Sequence, residues 1–321
     1  MCGINGVFHY GGGAPDLALV ERQATALRHR GPDDWDVWSE GPVALAHRRL
    51  AIVDLSSGGH QPMSNEDGTV WVTYNGEIYN WPAERPGLAA RGHRFHGSSD
   101  TEMIIHLWEE LGPAMVNRLR GMFAFALYDQ SRRTLMLARD RLGKKPLFYH
   151  DDGQRIVFAS ELKALMLDPS IPRSVNERAI ANYLTFQYVP SPESIFCGVK
   201  KLPPAHRLIC DARGVRIERY WSLPVDTDAG HSTEAYVERL RELLAESVSL
   251  RLMSDVPLGI LLSGGIDSSA VAAMTALVCS QPVKTFSVGF VEQDFSELRH
   301  AAAVARHLGT CLLYTSDAAD E

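Results

Sequence analysis

The sequence contains no long hydrophobic run, no excess of positive charge and no closely spaced pair of cysteines. No apolar run approaches the ~18 residues that a membrane-spanning helix needs, and we therefore expect no membrane partner. The formal net charge is −7 at pH 7, so we expect no nucleic-acid partner either. The N-terminus has neither the basic nor the hydrophobic segment of a secretory signal. Together these absences predict a soluble, cytoplasmic protein.

The five cysteines are scattered, odd in number and never spaced as Cys-x-x-Cys. This pattern excludes a zinc ribbon and argues against a disulfide framework. Four of them have no informative neighbours in the sequence, and we expect buried, inert thiols at Cys197, Cys210, Cys279 and Cys311. Cys2 differs from these, because it directly follows Met1.

The composition is 45% hydrophobic and 22% charged, as in ordinary globular proteins, and 321 residues predict about two domains. Residues 2–220 are rich in short strands and form the first predicted domain. The stretch 222–232 has few bulky apolar residues and is typical of a linker. Beyond it, apolar strands alternate with helices, which predicts the start of a parallel α/β sheet within 221–310.

Hydrophobic periodicity and turn residues predict the individual elements. Strands are expected at 2–8, 43–53, 70–74, 122–128, 134–138, 155–159, 258–262 and 283–288. Helices are expected at 17–27, capped by Asp16, and at 101–111, 235–252, 268–278 and 296–308. Pro82 and Pro86 each remove a backbone donor, so a helix in their stretch is expected to begin late or to break.

Cys2 becomes the first residue once the initiator methionine is removed. Its own α-amine, with a reference pKa of about 7.7–8.0, is then partly neutral near neutral pH and can accept the thiol proton. Such a nucleophile needs no histidine. Alone, a cysteine at this position is weak evidence, because small residues are common after Met1.

Four further residues, at three places in the sequence, fit the same chemistry. Arg49 offers a guanidinium for a carboxylate, Asn75 and Gly76 offer two donors for an oxyanion, and Asp100 offers a carboxylate for an ammonium group. Each also has an ordinary interpretation, namely a surface arginine, a turn after a strand that ends at residue 74, and a helix N-cap. Taken singly, these residues leave both interpretations open.

Six segments carry a specific resemblance when they are taken together. They are MCGI at 1–4, HRGPD at 29–33, HRRL at 47–50, YNGEIYN at 74–80, SDTE at 99–102 and RGMFAF at 120–125. This order resembles the glutamine-dependent asparagine synthetase family, whose first domain is a class II amidotransferase with an N-terminal nucleophile. The resemblance implies an αββα sandwich that hydrolyses glutamine to glutamate and ammonia.

The resemblance also assigns roles within the first domain. Cys2 would be the nucleophile, and Asn75 with Gly76 would form the oxyanion hole. Arg49 would hold the α-carboxylate of glutamine and Asp100 its α-amine. The remaining residues implied to line the substrate are Leu50, Ala51, Ile52, Val53 and Glu77.

A second motif, Ser263-Gly264-Gly265-Ile266-Asp267-Ser268-Ser269, follows the predicted strand 258–262. Glycines before a helix N-terminus let backbone N–H groups turn toward a phosphate. Asp267 offers an oxygen ligand for Mg²⁺ between phosphates. The motif lacks the Gly-Lys-Ser/Thr ending of a Walker A loop and the G-x-G-x-x-G spacing of a dinucleotide site.

The same motif resembles the pyrophosphate-binding loop of ATP pyrophosphatases. In the synthetase family, Leu262 and Val288 would contact the nucleotide base. The resemblance implies that ATP adenylates the aspartate β-carboxylate and that ammonia then displaces AMP. The expected small-molecule partners are therefore glutamine, aspartate and ATP with Mg²⁺, and a homodimer is left open.

The last segment, 311–321, resembles the in-frame translation of a transposase library adapter, and we expect it to be foreign to the gene. A native strand at 312–315 is the alternative. On the adapter hypothesis the gene is cut near Thr310, and this chain is expected to lack the synthetase reaction. Two further alternatives stay open: a related enzyme that amidates another carboxylate, such as a glycan or secondary-metabolite precursor, and a chain with glutaminase activity only or none.

Overall fold

The computed structural model describes residues 1–225, 230–279, 281–290 and 296–316. The chain divides into two compact units, Met1–Pro224 and Val225–Glu321. Parts of two sequence predictions, residues 226–229 of the linker and residues 317–321 of the terminal segment, lie outside the described residues. Within the described part of the chain, no helix is both long and apolar enough to span a bilayer.

The first unit contains two six-stranded sheets with the strand orders β10-β8-β9-β1-β3-β2 and β12-β11-β7-β6-β5-β4. The strands are β1 (Gly3–Phe8), β2 (Asp34–Glu40), β3 (Val43–Arg49), β4 (Met63–Ser64), β5 (Val70–Ile78), β6 (Gly121–Asp129), β7 (Thr134–Arg139), β8 (Phe148–Asp151), β9 (Ile156–Ala159), β10 (Val199–Lys201), β11 (His206–Asp211) and β12 (Gly214–Arg219). The helices are α1 (Leu17–Ala26), α2 (Trp81–Ala90), α3 (Thr101–Leu111), α4 (Leu162–Leu165) and α5 (Glu177–Phe186).

The first unit is a four-layer sandwich. One buried cluster joins β1, β3 and β9 of the first sheet to β6, β7 and β11 of the second, so the two sheets pack face to face. The outer face of the first sheet packs against α1 and α4, and that of the second against α2 and α3. The predicted αββα sandwich is therefore confirmed.

Several predicted strands differ from the observed ones at their ends, and two of these differences concern the site. Strand β3 ends at Arg49, so residues 50–53 form a loop rather than the last part of a strand. Strand β5 runs on to Ile78, so Asn75 and Gly76 lie inside a strand rather than in a turn after it. The cause in β5 is its pairing with β6 along the whole length, because tertiary pairing overrides the low strand propensity of Asn and Gly.

The prediction that prolines delay or break a helix near residue 82 is also wrong. Helix α2 runs continuously from Trp81 to Ala90, with Pro82 in its first turn and Pro86 inside it. Pro82 is tolerated because first-turn N–H groups have no helical partner. Pro86 leaves only the carbonyl of Pro82 without its helical donor, and Leu88 is the one buried residue of this peripheral helix.

The second unit begins with α6 (Thr233–Arg251) and continues as β13 (Ile260–Leu261), α7 (Ile266–Val278), β14 (Lys284–Gly289), α8 (Leu298–Leu308) and β15 (Cys311–Ser316). The three strands are parallel and lie in chain order, which confirms the predicted start of a parallel α/β sheet. Helix α7 begins at Ile266, two residues before the prediction. Strand β15 pairs with β14 over the segment for which we predicted an adapter origin, and a strand here is compatible with either origin.

Candidate functional site

A pocket of about 180 Å³ lies at the start of β1, where this strand meets the end of β3. The pocket brings together every residue predicted for the glutamine site except Ala51, which does not line it. Those lining residues are Cys2, Arg49, Leu50, Ile52, Val53, Asn75, Gly76, Glu77 and Asp100. Residues far apart in sequence thus share one cavity.

The antiparallel pairing of β1 with β3 places Cys2 beside the first residue after β3. The Cys2 thiol donates to the Leu50 carbonyl at 3.7 Å, and the Leu50 N–H donates to Sγ at 3.4 Å. Burial raises the pKa of the Cys2 thiol, while the Leu50 hydrogen bond opposes that rise. The thiol is therefore mainly protonated at neutral pH and needs a base to become a nucleophile.

The N-terminus, whose α-amine would act as this base, is held by Arg30. The Arg30 Nε donates to the Cys2 carbonyl at 2.9 Å, and Arg30 Nη1 binds Glu161 at 2.8 Å. Burial lowers the pKa of the Met1 α-amine, since it disfavours the ammonium form. Burial at this end of the chain therefore favours the neutral form of an α-amine.

The Asn75 side chain is buried, yet neither its Oδ1 nor its Nδ2 has a hydrogen-bond partner within the described residues. A buried amide without partners is unusual and costs free energy of about 1–3 kcal/mol. Asn75 lines the pocket, so its unpaired amide lies in the pocket wall, next to the space where a group would bind. The amide N–H groups are suitable donors for an oxyanion.

Gly76 adds a backbone donor on the same strand. The Tyr74 N–H donates to Gln61 Oε1 and the Ile78 N–H to Asp100 Oδ2, both at 2.7 Å. Because N–H directions alternate along a strand, the Gly76 N–H points to the same edge of β5, between those two side chains. A Cβ at Gly76 would collide with the Met122 carbonyl oxygen, so glycine is required by close packing.

Asp100 precedes α3 but does not cap it, which corrects the ordinary interpretation of this residue as an N-cap. Its Oδ2 instead accepts hydrogen bonds from the Tyr74 hydroxyl and the Ile78 N–H. Burial raises the pKa of Asp100 to about 6, with the Glu77 charge adding to the rise and the two hydrogen bonds opposing it. The pocket thus contains a carboxyl group that ionises just below neutral pH.

Arg49 is buried and organises the loop after β3. Its Nη1 donates to the Ser56 carbonyl at 2.9 Å, and its Nη2 donates to the carbonyls of Val53 and Asp54. A Cβ at Gly59 would occupy the position of Nη2, so Gly59 makes room for the guanidinium. The structure therefore shows Arg49 as a residue that shapes the pocket wall, and its carboxylate-binding role stays a prediction.

The second motif lies in the second unit, between β13 and α7. Ser263 and Ser268 bind each other through their hydroxyls at 3.0 Å, and Ser263 Oγ also accepts from the Gly265 N–H. Gly264 has a φ of +85°, and a Cβ there would lie 2.5 Å from backbone carbon of His300. Both facts require glycine at this position.

The carboxyl ends of β13 and β14 lie at the same edge of the parallel sheet, so the loop and Val288 face the same side. Asp267 is exposed in the first turn of α7, and the buried Ser269 hydroxyl has no partner within the described residues. These oxygen donors fit a magnesium phosphate group. Leu262 does not present a free group, since its side chain is in the core and its backbone bonds to β14.

Comparison with protein families assigns a family model to each of the two units. The family model described as a glutamine amidotransferase domain matches residues 1–221. The chain belongs to the glutamine amidotransferase family. The model described as asparagine synthase matches residues 239–320, so the chain has the domain pair of the glutamine-hydrolysing asparagine synthetase family, as its motifs predicted.

Proteins with similar sequences have names that correspond to these two family models. The chain is 39% identical over 304 residues to asparagine synthetase [glutamine-hydrolyzing] 3 of Bacillus subtilis, covering 92% of this chain and 49% of that protein. It is 36% identical over 327 residues to asparagine synthetase B [glutamine-hydrolyzing] of Escherichia coli, covering 97% and 53%. The chain thus spans about half the length of these relatives.

The fold of the amidotransferase also has solved counterparts. A structure described as the allosteric regulatory enzyme of purine biosynthesis matches with a TM-score of 0.51 and 17% identity. The match covers 98% of this chain and 80% of that one. At this identity the similarity concerns the fold alone.

Eight lining residues of the amidotransferase pocket were not predicted, and three of them are Gln61, Tyr74 and Lys145. Gln61 accepts from the Tyr74 N–H, and the Tyr74 hydroxyl donates to Asp100. These contacts join residues that are far apart in the sequence, so only the folded structure shows them. Lys145 is buried, and burial lowers the pKa of its ammonium, while the charges of Glu77 and Cys2 oppose that shift. The Gly-Lys-Lys-Pro stretch that contains Lys145 was a visible signal for it.

The expectation of buried cysteines is correct for Cys210 and wrong for Cys197 and Cys311, which are exposed. Cys279 is partly exposed. Cys197 lies in the segment just before β10, and its Sγ donates only to a backbone carbonyl, that of Val175. Burial of a cysteine depends on its tertiary neighbours, which its local sequence does not show.

Proposed function

We propose that the first unit hydrolyses glutamine to glutamate and ammonia, with Cys2 as the nucleophile. The observation that carries this proposal is the convergence of four groups on one pocket. The Cys2 thiol, the unpaired Asn75 amide, the Gly76 N–H and the Asp100 carboxylate all line it. This set supplies a nucleophile, two oxyanion donors and a counter-ion for an ammonium group.

After removal of Met1, the neutral α-amine of Cys2 takes the thiol proton, and the thiolate attacks the side-chain carboxamide carbon of glutamine. The Asn75 Nδ2 and the Gly76 N–H stabilise the oxyanion that forms. Ammonia leaves with the proton that the amine returns, and a thioester remains. Water then cleaves the thioester and releases glutamate.

Recognition of glutamine in this proposal uses the two ends of its amino-acid group. Asp100 binds the α-ammonium, and Arg49 binds the α-carboxylate with the N–H groups that the loop carbonyls do not occupy. Leu50, Ile52 and Val53 form the wall beside them. The loop conformation and the substrate are thereby held by one guanidinium.

For the second unit we infer a nucleotide role. The loop Ser263–Ser269 would bind the pyrophosphate of ATP, Asp267 and Ser269 would hold Mg²⁺, and Val288 would contact the base. The whole protein would adenylate aspartate and let ammonia displace AMP. The free cysteines are consistent with a reducing, cytoplasmic location, and a homodimer stays a prediction.

The decisive experiment compares Cys2→Ala with Cys197→Ala, because Cys197 is an exposed thiol outside the pocket. Glutamate release from glutamine is measured for the parent chain and for both variants. We expect Cys2→Ala to abolish release and Cys197→Ala to leave it unchanged. Release that persists in Cys2→Ala would overturn the assignment of the nucleophile.

A further inference from the structure

A compact cluster of metal-ligating side chains lies outside the glutamine pocket. His106 and Glu109 are three residues apart on α3 and therefore share a helix face, and His93 comes from the turn after α2. None of these residues lines the pocket that contains Cys2. The three ligand atoms all lie within 4.8 Å of one another.

The distances within the cluster fit a tetrahedral ion. Glu109 Oε2 lies 3.2 Å from His93 Nδ1 and 3.0 Å from His106 Nδ1. Bond lengths of about 2.0–2.2 Å to Zn²⁺ place neighbouring ligands of a tetrahedron about 3.3 Å apart. The two distances to Glu109 therefore already match those of a bound ion, and the third pair of ligand atoms lies within 4.8 Å.

Both ring nitrogens of His93 face carboxylate oxygens, Nδ1 that of Glu109 and Nε2 that of Glu110. His93 Nε2 lies 2.9 Å from Glu110 Oε1, and a carboxylate only accepts, so the ring proton is on Nε2. The other ring nitrogen, Nδ1, lies 3.2 Å from Glu109 Oε2. Nδ1 and Oε2 are therefore close enough for one cation to bind both.

The surroundings support the ligands from outside. Glu110 fixes the His93 tautomer that leaves Nδ1 free for a metal, and Asn65 Nδ2 donates to the second oxygen of Glu109 at 2.8 Å. The side chain of His106 is 4% exposed, while those of His93 and Glu109 are 14% and 25% exposed. The site is thus rigid on one side and open to solvent on the other, where an ion and a water ligand can enter.

We propose that His93, His106 and Glu109 bind Zn²⁺ and that the ion fastens the turn after α2 to α3. Imidazole nitrogen with one carboxylate favours Zn²⁺ over Mg²⁺ or Ca²⁺, which prefer oxygen ligands. The role is structural, since the cluster does not touch the glutamine pocket. This proposal does not depend on the glutaminase activity.

The test is equilibrium dialysis of Zn²⁺ against the metal-depleted chain, purified without a histidine tag and with its thiols alkylated by iodoacetamide. We expect one Zn²⁺ per chain, with affinity reduced tenfold or more in His93→Asn and in Glu109→Gln. Glu110→Gln keeps all three ligands and should weaken binding about tenfold, as loss of an outer hydrogen bond does. His96→Asn, a largely exposed histidine outside the cluster, is the matched control and should bind as the parent does.

Thermal unfolding gives a second readout. Zn²⁺ should raise the midpoint of unfolding of the parent and of His96→Asn, but not that of His93→Asn. No bound equivalent in the alkylated parent, or equal affinity in His93→Asn, would overturn the proposal. Because Glu110 is on the surface, its variant tests the site even if a ligand variant fails to fold.

Discussion

The Tyr74 hydroxyl donates a 2.7 Å hydrogen bond to Asp100 Oδ2, and both side chains are buried in the wall of the Cys2 pocket. The bond links the edge of β5 to the residue that precedes α3. It stabilises the ionised form of a carboxyl group whose pKa burial raises to about 6. The ionisation of Asp100 near neutral pH therefore depends on Tyr74.

Tyr74→Phe removes this donor and should raise the pKa of Asp100 further, by about one pH unit for a hydrogen bond of 1–2 kcal/mol. If ionised Asp100 binds the glutamine ammonium, the acid limb of kcat/KM for glutamine moves to higher pH by the same amount. Initial rates between pH 5 and pH 8 measure the shift. Tyr128→Phe, a buried tyrosine away from the pocket, is the control, and an unmoved acid limb in Tyr74→Phe would contradict the prediction.

Asp100→Asn should lose glutamine affinity and gain stability. A carboxyl whose pKa is raised by folding to about 6 destabilises the folded state above pH 6, by about 3 kcal/mol for a shift of two units. The amide avoids this cost, so the variant should be more stable than the parent at pH 8. The difference should shrink as pH falls through 6 and be small at pH 4, close to the unfolded pKa of 3.8, below which the carboxyl is protonated in both states. Urea unfolding at pH 8 and pH 4 measures it, and equal stabilities at pH 8 would count against a buried charge.

Asn75→Ala tests the oxyanion donor. Removing one such donor typically lowers kcat by about 10²–10³ with little change in ground-state binding. Stability should not fall, because the amide has no hydrogen-bond partner to lose within the described chain. Asn5→Ala is the contrast: Asn5 is buried and donates to the Val20 carbonyl at 3.1 Å, so it should cost about 1 kcal/mol and leave kcat intact. A normal kcat in Asn75→Ala would remove the amide from the mechanism.

The sequence predicts which residues form the glutamine site, but not the secondary structure in which they lie. The sequence places Cys2, Asn75 and Asp100 far apart, and the packing of the first sheet on the second, with β3 against β5, brings them to one pocket. Asn75 and Gly76 are turn residues by propensity, so the strand through them could not be expected from local sequence. The long pairing with β6 decides their conformation.

The layers of the fold could be predicted from the sequence better than the ends of its strands and helices. Alternating and continuous apolar runs identified β1, β6 and β7, because their burial follows directly from hydrophobicity. Helix α2 was missed in part because two prolines dominate its local signal. The packing of Leu88 into the core keeps that helix continuous, and such packing is a property of the whole unit.

The loop before α7 offers a test that separates backbone strain from steric crowding. Gly264 and Gly309 both have positive φ, +85° and +67°, but a Cβ at Gly264 meets His300 while one at Gly309 meets nothing within 4 Å. Alanine in the left-handed region costs about 1–2 kcal/mol, so Gly309→Ala should destabilise the second unit by that amount. Gly264→Ala adds the clash with α8 and should cost distinctly more. Equal losses of stability in the two variants would mean that the loop moves away from His300 freely.

Gly264→Ala should also lose ATP binding, measured by equilibrium dialysis with Mg²⁺, while Gly309→Ala keeps it. ATP binding by Gly264→Ala would show that the backbone geometry at this glycine is not needed to bind the phosphates.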